Sequence, residues 1–544
     1  MSNRSRPQAS WFSATLLLIS IGCLSGSQPL LATDYFLTIG GGYDRSGNQA
    51  SLEANVVFFQ RLLSDRHRGS RRHDIYFADG DDPVEDLQIV AEKPATSGLP
   101  ATDLLASLHR RREEIDVIYR NHQVTEIAGP IDPALIKAGL DAFAGAARGG
   151  DRLIVYVTAH GSEGPRSDEF NTTIDCWNRR KISAREFTEW LDKLPADVPV
   201  VMVMAQCYCG GFAHTIFKGL DQAKGLAPQL RVGFFAQQHN LPAAGCRPDI
   251  EHDEEFSSYF WGALAGRTRN GVPIEGCDID RNGVVSLAEA YAYAVIAGET
   301  IDIPLRASDV LLRTFSQLNA KPKTTTEAEK TPEGAGGSER STEPSPSPTP
   351  SVDGAQEKSA PATMTGTLQT FVDRARPVSG RIVTELCKTL GIALQDDVAS
   401  VMAANHEERR ADRFPRRGGR RRLGSGRRDL LKEVREKWPE LADDRHWAES
   451  SLLKTENQEQ LLAELKNLPS WKAYDDRRQQ MQAANDESEQ RELRMVKYRR
   501  LINTLETIVL ENNLPLVATP EIVERYRQMM ALEESTLGFD TRRN

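Results

Sequence analysis

The sequence predicts an α/β domain built on a mostly parallel sheet with helices on both faces, followed by a disordered linker and a separate α-helical C-terminal region. Three observations predict this. Apolar runs alternate with amphipathic stretches over residues 34–318. Residues 319–365 contain no Leu, Ile or aromatic side chain, and such a segment buries too little surface to offset its chain entropy. Residues 366–544 are charged and helix-favouring, with glycine sparse over most of their length.

The elements follow in order. A strand at 35–39 runs into Gly40, Gly41 and Gly42, and the next helix carries Leu52, Val56, Phe59 and Leu63 on one face. A second strand, 75–77, closes at Ala78, Asp79 and Gly80. Asp132 and Pro133 are a helix cap and first-turn proline ahead of Leu140, Phe143 and Ala147. A third strand spans 153–157. Ser183 and Glu186 then form a capping box before Phe187, Trp190, Leu191 and Leu194. Strands at 198–204 and 232–235 complete the pattern. Continuous apolar strands separated by helices imply a parallel sheet buried on both faces.

The charge is −9, from 68 basic and 77 acidic residues, so wholesale nucleic-acid binding is not expected. The sustained apolar run at 12–24 is shorter than the ~20 residues a membrane span needs, so no transmembrane span is expected. Arg4 and Arg6 precede it and small or polar residues follow, the layout of a secretory signal over residues 1–32, with a buried N-terminal helix as the plainer alternative. The expected location is therefore secreted or periplasmic. Ser20-Ile21-Gly22-Cys23 also resembles a degraded lipoprotein box, which leaves lipid anchoring at Cys23 as a second reading. In an oxidising compartment Cys246 and Cys277 are candidates for a disulfide, with Cys176 as a competing partner.

Open α/β sheets bind ligands at the carboxyl edge of their strands. Two strand ends here carry reactive groups: the third strand runs into His160-Gly161, and the fourth into Cys207-Tyr208-Cys209-Gly210-Gly211. If those strands are neighbours, a thiol and an imidazole face one crevice, the minimum equipment for nucleophilic acyl transfer. A satisfied buried histidine beside a core cysteine, or a Cys207/Cys209 redox pair, are the plainer alternatives. Asp79, Asp81 and Asp82 read as turn carboxylates, with attraction of basic substrates as the other reading.

A strand ending in His-Gly, followed by one ending in Cys within a glycine-flanked turn, resembles the caspase-fold cysteine peptidases, nearest to their legumain-like and metacaspase-like branches. The likeness covers residues 34–318 in layout and is tight only around His160-Gly161 and 205–211. It implies Cys207 as nucleophile, His160 as general acid/base, and the N–H groups of Gly161 and Cys207 as oxyanion hole, with a protein or peptide as substrate. The pattern departs at Cys209, where those branches usually carry Ser; Cys207, nearest the strand end, is preferred.

Residues 278–289 match an EF-hand loop: Asp278, Asp280 and Asn282 offer oxygens, Gly283 the turn, Val284 a carbonyl, Ser286 a water-mediated contact and Glu289 both carboxylate oxygens. The expected ion is a structural Ca²⁺. The plainer alternative is that Ser286 and Glu289 are only a capping box. Residues 409–428 hold ten arginines and one aspartate, either a grip on an anionic surface or a connector. Beyond them Leu501, Leu505 and Ile508 fall at helical spacing, as in a helical bundle or coiled coil awaiting an unidentified partner. The leading expectation is an exported cysteine endopeptidase; the competing one is a non-catalytic, Ca²⁺-dependent peptide-binding scaffold.

Overall fold

The computed structural model describes residues 33–90, 100–109, 117–246, 255–320, 361–412, 423–442, 447 and 450–538. The expected signal segment with Cys23, most of the expected linker (321–360), and residues 413–422 of the Arg-rich segment lie outside the described residues.

The strands are β1 (Thr33–Gly41), β2 (Ser70–Phe77), β3 (Leu87–Val90), β4 (Val117–Arg120), β5 (Ile127–Gly129), β6 (Arg152–Ala159), β7 (Thr173–Cys176), β8 (Arg180–Ser183), β9 (Val200–Met204), β10 (Arg231–Phe235) and β11 (Leu305–Arg306). Seven of them form one sheet in the order β11-β10-β9-β6-β1-β2-β5, parallel throughout except for antiparallel β11. Every residue of β9 and β10 is buried, which is why β9, and β10 after Arg231, read as apolar runs rather than as alternation. The antiparallel pairs β3–β4 and β7–β8 form two small sheets apart from it, the second a hairpin.

The chain up to residue 320 supplies α1 (Ala50–Arg66), α2 (Pro100–Leu108), α3 (Pro133–Ala146), α4 (Ala184–Leu191), α5 (Phe256–Ala265), α6 (Leu287–Ala297) and α7 (Ala307–Phe315). Successive residues of a strand point to opposite faces, and β1 shows what covers each. Phe36 meets Phe59 of α1, whereas Tyr35 stacks on Phe143 of α3 at 4.4 Å between ring centroids. Both faces are therefore layered with helix.

The rest of the chain supplies α8 (Leu368–Arg374), α9 (Pro377–Leu390), α10 (Val398–Asp412), α11 (Leu423–Lys437), α12 (Gln458–Lys466), α13 (Trp471–Val517) and α14 (Pro520–Glu533). Here the expectation of a separate helical region is corrected. Leu386, Leu501, Leu505, Ile508 and Met529 belong to the same buried cluster as the sheet. Arg306 of β11 pairs with fully buried Glu533 of α14 at 3.1 Å. Asn513 of α13 joins the end of the sheet domain to the start of the helical region, donating to the carbonyls of Gln317 and Ala362 and accepting from the N–H of Ala362. Composition hid this docking, because the residues that make it include buried charged groups that a polarity reading assigns to solvent.

A smaller cluster lies apart. There α2 packs with α11, α12 and the start of α13 through Leu105, Leu430, Val434, Leu465 and Tyr474. Gln458 caps the first N–H groups of α2, at Ala101 and Thr102. Between Tyr474 and Val496 no residue of α13 is buried, so this stretch is a solvated strut between the two cores.

Candidate active site

The sheet order brings the two reactive strand ends together. β6 and β9 are hydrogen-bonded neighbours with Val157 opposite Met204, and the N–H of Ala205 donates to the carbonyl of Val157. Beyond them His160-Gly161 and Gln206-Cys207 lie alongside one another. A β-carbon at Gly161 would stand 2.3 Å from the carbonyl oxygen of Cys207, so only glycine allows this approach.

The imidazole of His160 is oriented from one side. Its Nε2 lies 2.8 Å from the carbonyl oxygen of Gly47 and 3.0 Å from Oε1 of Gln49. Two oxygen acceptors on one nitrogen require Nε2 to carry the hydrogen, which leaves the lone pair on Nδ1. The Tyr43 ring meets the imidazole edge-on at 5.0 Å. Burial pulls His160 below the usual histidine range, opposed by the Gly47 carbonyl and by the charges of Asp175 and Asp44. Asp175 is itself held by Ser162 and Thr173, with Lys181 at 3.6 Å.

Cys207 is half-buried. Its Sγ accepts from the N–H of Ala243 at 3.3 Å. Burial pushes the thiol up, the Ala243 N–H lowers it, and Asp302 and Asp175 raise it. The next residue, Tyr208, sits at φ 61, a left-handed conformation that costs a non-glycine side chain about 1–3 kcal/mol and is typical of functional turns. Among the described residues, the N–H groups of Gly161 and Cys207 donate to no other residue. The Cys207 N–H faces its own sulfur; donors left free of other residues at a strand end are what an oxyanion requires. The hydrogen bonds of the two side chains lead away from each other, His160 to residues 47 and 49, Cys207 to 243.

Cys209 differs in kind. It is fully buried, and its sulfur accepts from and donates to the backbone of Gln237. Burial drives its pKa far above that of an ordinary thiol. The six described cysteines are all free, which corrects the expected disulfide among Cys246, Cys277 and Cys176. The physical reason is location: Cys246 lies near Glu255 and Cys207, Cys277 lies near Glu289, and Cys176 is sealed in the core.

Of the turn aspartates, Asp81 and Asp82 are exposed, as solvated turn residues are. Asp79 is partly buried next to Asp86, and burial with that neighbouring charge pushes it up. Asp86 in turn accepts from Asn48, in the turn that holds His160.

The acidic loop precedes α6. Carboxylate oxygens of Asp278, Asp280 and Glu289 lie within 4.8 Å of one another. The loop is braced from within: Asp278 accepts from the N–H groups of Asn282 and Gly283, Asp280 from that of Asn282, and Asn282 from that of Val284. Glu289 accepts from Ile279 and Asp280 on one oxygen and closes a capping box with Ser286 on the other. All the side chains of the set offer oxygen, the donor preferred by hard divalent cations.

Sequence reasoning missed Gln49, Ala243 and Asp302. Gln49 and Ala243 sit in ordinary-looking turns far along the chain from their partners. Asp302 carries no motif; its only signal is a lone carboxylate in an otherwise apolar stretch before β11.

No family model and no curated protein matches this chain. One solved structure, of protein GSU0716 from Geobacter sulfurreducens, aligns over 50% of this chain and 93% of its own, at 11% identity and a TM-score of 0.28. A likeness of that degree carries no argument about fold family or chemistry.

Proposed function

We propose that the chain is a cysteine endopeptidase of caspase-like fold, exported by its N-terminal segment. The observation that carries the reading is the pairing of β6 with β9, which sets His160 and Cys207 at adjacent strand ends beside the N–H groups of Gly161 and Cys207, which donate to no other described residue. In the proposed reaction Sγ of Cys207 attacks the scissile carbonyl carbon and its proton passes to Nδ1 of His160. The N–H groups of Gly161 and Cys207 receive the oxyanion, an interaction worth about 10²–10³ in rate per donor. His160 then gives the proton to the leaving amine, the C–N bond breaks, and a thioester remains. Water, deprotonated by His160, hydrolyses it to a carboxylic acid and the free thiol.

Asp278, Asp280, Asn282, Val284, Ser286 and Glu289 would hold a Ca²⁺ ion, which would stiffen the entry to α6. Binding competes with the hydrogen bonds Glu289 already makes. The test is a peptide-library cleavage profile of the wild type and Cys207→Ala, each with calcium and with chelator. Turnover lost in Cys207→Ala is the expected result; turnover retained there defeats the assignment.

A second reading, a non-catalytic peptide-binding scaffold, is favoured by one observation: the hydrogen bonds of thiol and imidazole lead elsewhere, to Ala243 and to Gly47 and Gln49. Thiol alkylation separates the two. A scaffold gives Cys207 the reactivity of an ordinary thiol and no turnover under any condition.

A further inference from the structure

One side chain of the C-terminal half reaches the surroundings of Cys207. Arg500 of α13 is 2% exposed and sits among neutral oxygens. Its Nε donates to the carbonyl of Asp302 at 2.8 Å, and one Nη to those of Val295 and Gly298 at 2.9 and 2.6 Å. The other Nη meets the carbonyl and hydroxyl of Thr300 at 3.0 and 3.4 Å. All five guanidinium hydrogens are therefore used, on the end of α6 and the loop after it. Free carbonyls at a helix C-terminus favour a cation there. Burial brings Arg500 down to about 10, which leaves it charged at neutral pH.

The loop so held touches the segment over the nucleophile twice. Thr300 Oγ1 donates to Asp302, whose other carboxylate oxygen accepts from the N–H of Ala244 at 2.7 Å. Gln237 donates to the carbonyls of Ile301 and Pro242. Ala243, between those anchors, supplies the N–H on Cys207 Sγ. Neighbouring Arg499 reaches Gln238 in the same segment at 3.5 Å.

We propose that Arg500 is a positioning residue for the nucleophile: through Thr300, Asp302 and Ala244 it holds the Ala243 N–H on the Cys207 sulfur, making α13 part of the catalytic unit. A helix that reads as a detached module thereby becomes the back wall of the site. This rests on the endopeptidase reading for its kinetic readout, but not for its chemical one.

The test uses the full chain in four forms, wild type, Arg500→Lys, Thr300→Val and Cys207→Ala, the last as a blank. Iodoacetamide labelling is mapped to the Cys207 peptide by mass, and kcat and KM are measured on a cleaved peptide. Arg500→Lys keeps the charge but reaches fewer carbonyls. It is expected to lower kcat and the alkylation rate by about ten- to a hundredfold with KM within about threefold, the scale of a displaced reacting group. Thr300→Val removes the hydroxyl that joins Arg500 to the Asp302 carboxylate and that also accepts from the Asp302 N–H, leaving the carbonyl contacts of Arg500 in place, and is expected to lower both by several-fold while folding normally. A folded Thr300→Val protein with wild-type alkylation and kcat overturns the proposal. If the wild type turns over no peptide, the endopeptidase reading falls, and the alkylation rates alone still decide the role of Arg500.

Discussion

The crevice and the acidic loop are both glycine-hinged turns carrying polar side chains, yet they are held in opposite ways. At Gly161 a β-carbon would meet three atoms within 3 Å, from residues 173, 206 and 207. At Gly283 it would meet nothing within 4 Å, and glycine is required there by a φ of 89. The crevice is shaped by segments brought from far along the chain, whereas the loop is shaped by its own backbone. A substitution in the first disturbs partners elsewhere; a substitution in the second stays local.

The largest expected effect follows from that contrast. Gly161→Ala should lower kcat/KM by at least about a hundredfold and stability by about 2–3 kcal/mol, read by peptide turnover and urea unfolding. If activity survives, the crevice is not packed as described. Next comes the loop. Glu289→Ala removes a buried carboxylate that accepts four hydrogen bonds, at a cost of about 2–4 kcal/mol. If Ca²⁺ binds, saturating the wild type at 100 times Kd should add about 2.7 kcal/mol, and Glu289→Ala should abolish that gain. A chelator-insensitive unfolding midpoint would remove the ion from the account.

The electrostatics of the crevice give a third outcome. Protonated His160 cannot take the thiol proton, so kcat/KM should fall as pH drops through the histidine pKa. Burial lowers that pKa, so the acid limb should lie below the ordinary histidine value of about 6.5. A limb above that value would mean that Asp175 and Asp44 outweigh burial. The smallest effects separate the two regions most cleanly. Gly283→Ala should cost only about 1–2 kcal/mol of left-handed strain and leave turnover intact. Cys209→Ser replaces a buried sulfur by an oxygen able to make the same two contacts with Gln237, so kcat should stay within about threefold and stability within about 1 kcal/mol. A Cys209→Ser protein as inactive as Cys207→Ala would reverse the assignment of the nucleophile.

Legibility followed the range of the interactions. The strands before His160 and Cys207 were readable because burial on both faces removes polar residues from them. The capping boxes at Ser183 and Ser286 were readable because partners three residues apart interact whatever the rest of the chain does. β5, β7, β8 and β11 were not, being two to four residues long and stabilised by neighbours rather than by pattern. Among the site residues, His160 and Cys207 stood out by chemistry, while Gln49, Ala243 and Arg500 did not. Nothing within a few residues of them reveals what they touch.

The order of residues alone determined that there is a parallel α/β core, which strand ends carry the thiol and the imidazole, and which loop offers oxygens. These properties follow from periodicity and side-chain chemistry over short spans. Tertiary structure decided that β6 and β9 are neighbours, that Cys209 is sealed while Cys207 is accessible, and that α13 docks on the sheet domain with Arg500 inside it. Each of these depends on contacts across dozens to hundreds of residues, whose free energy is settled only when competing surfaces meet.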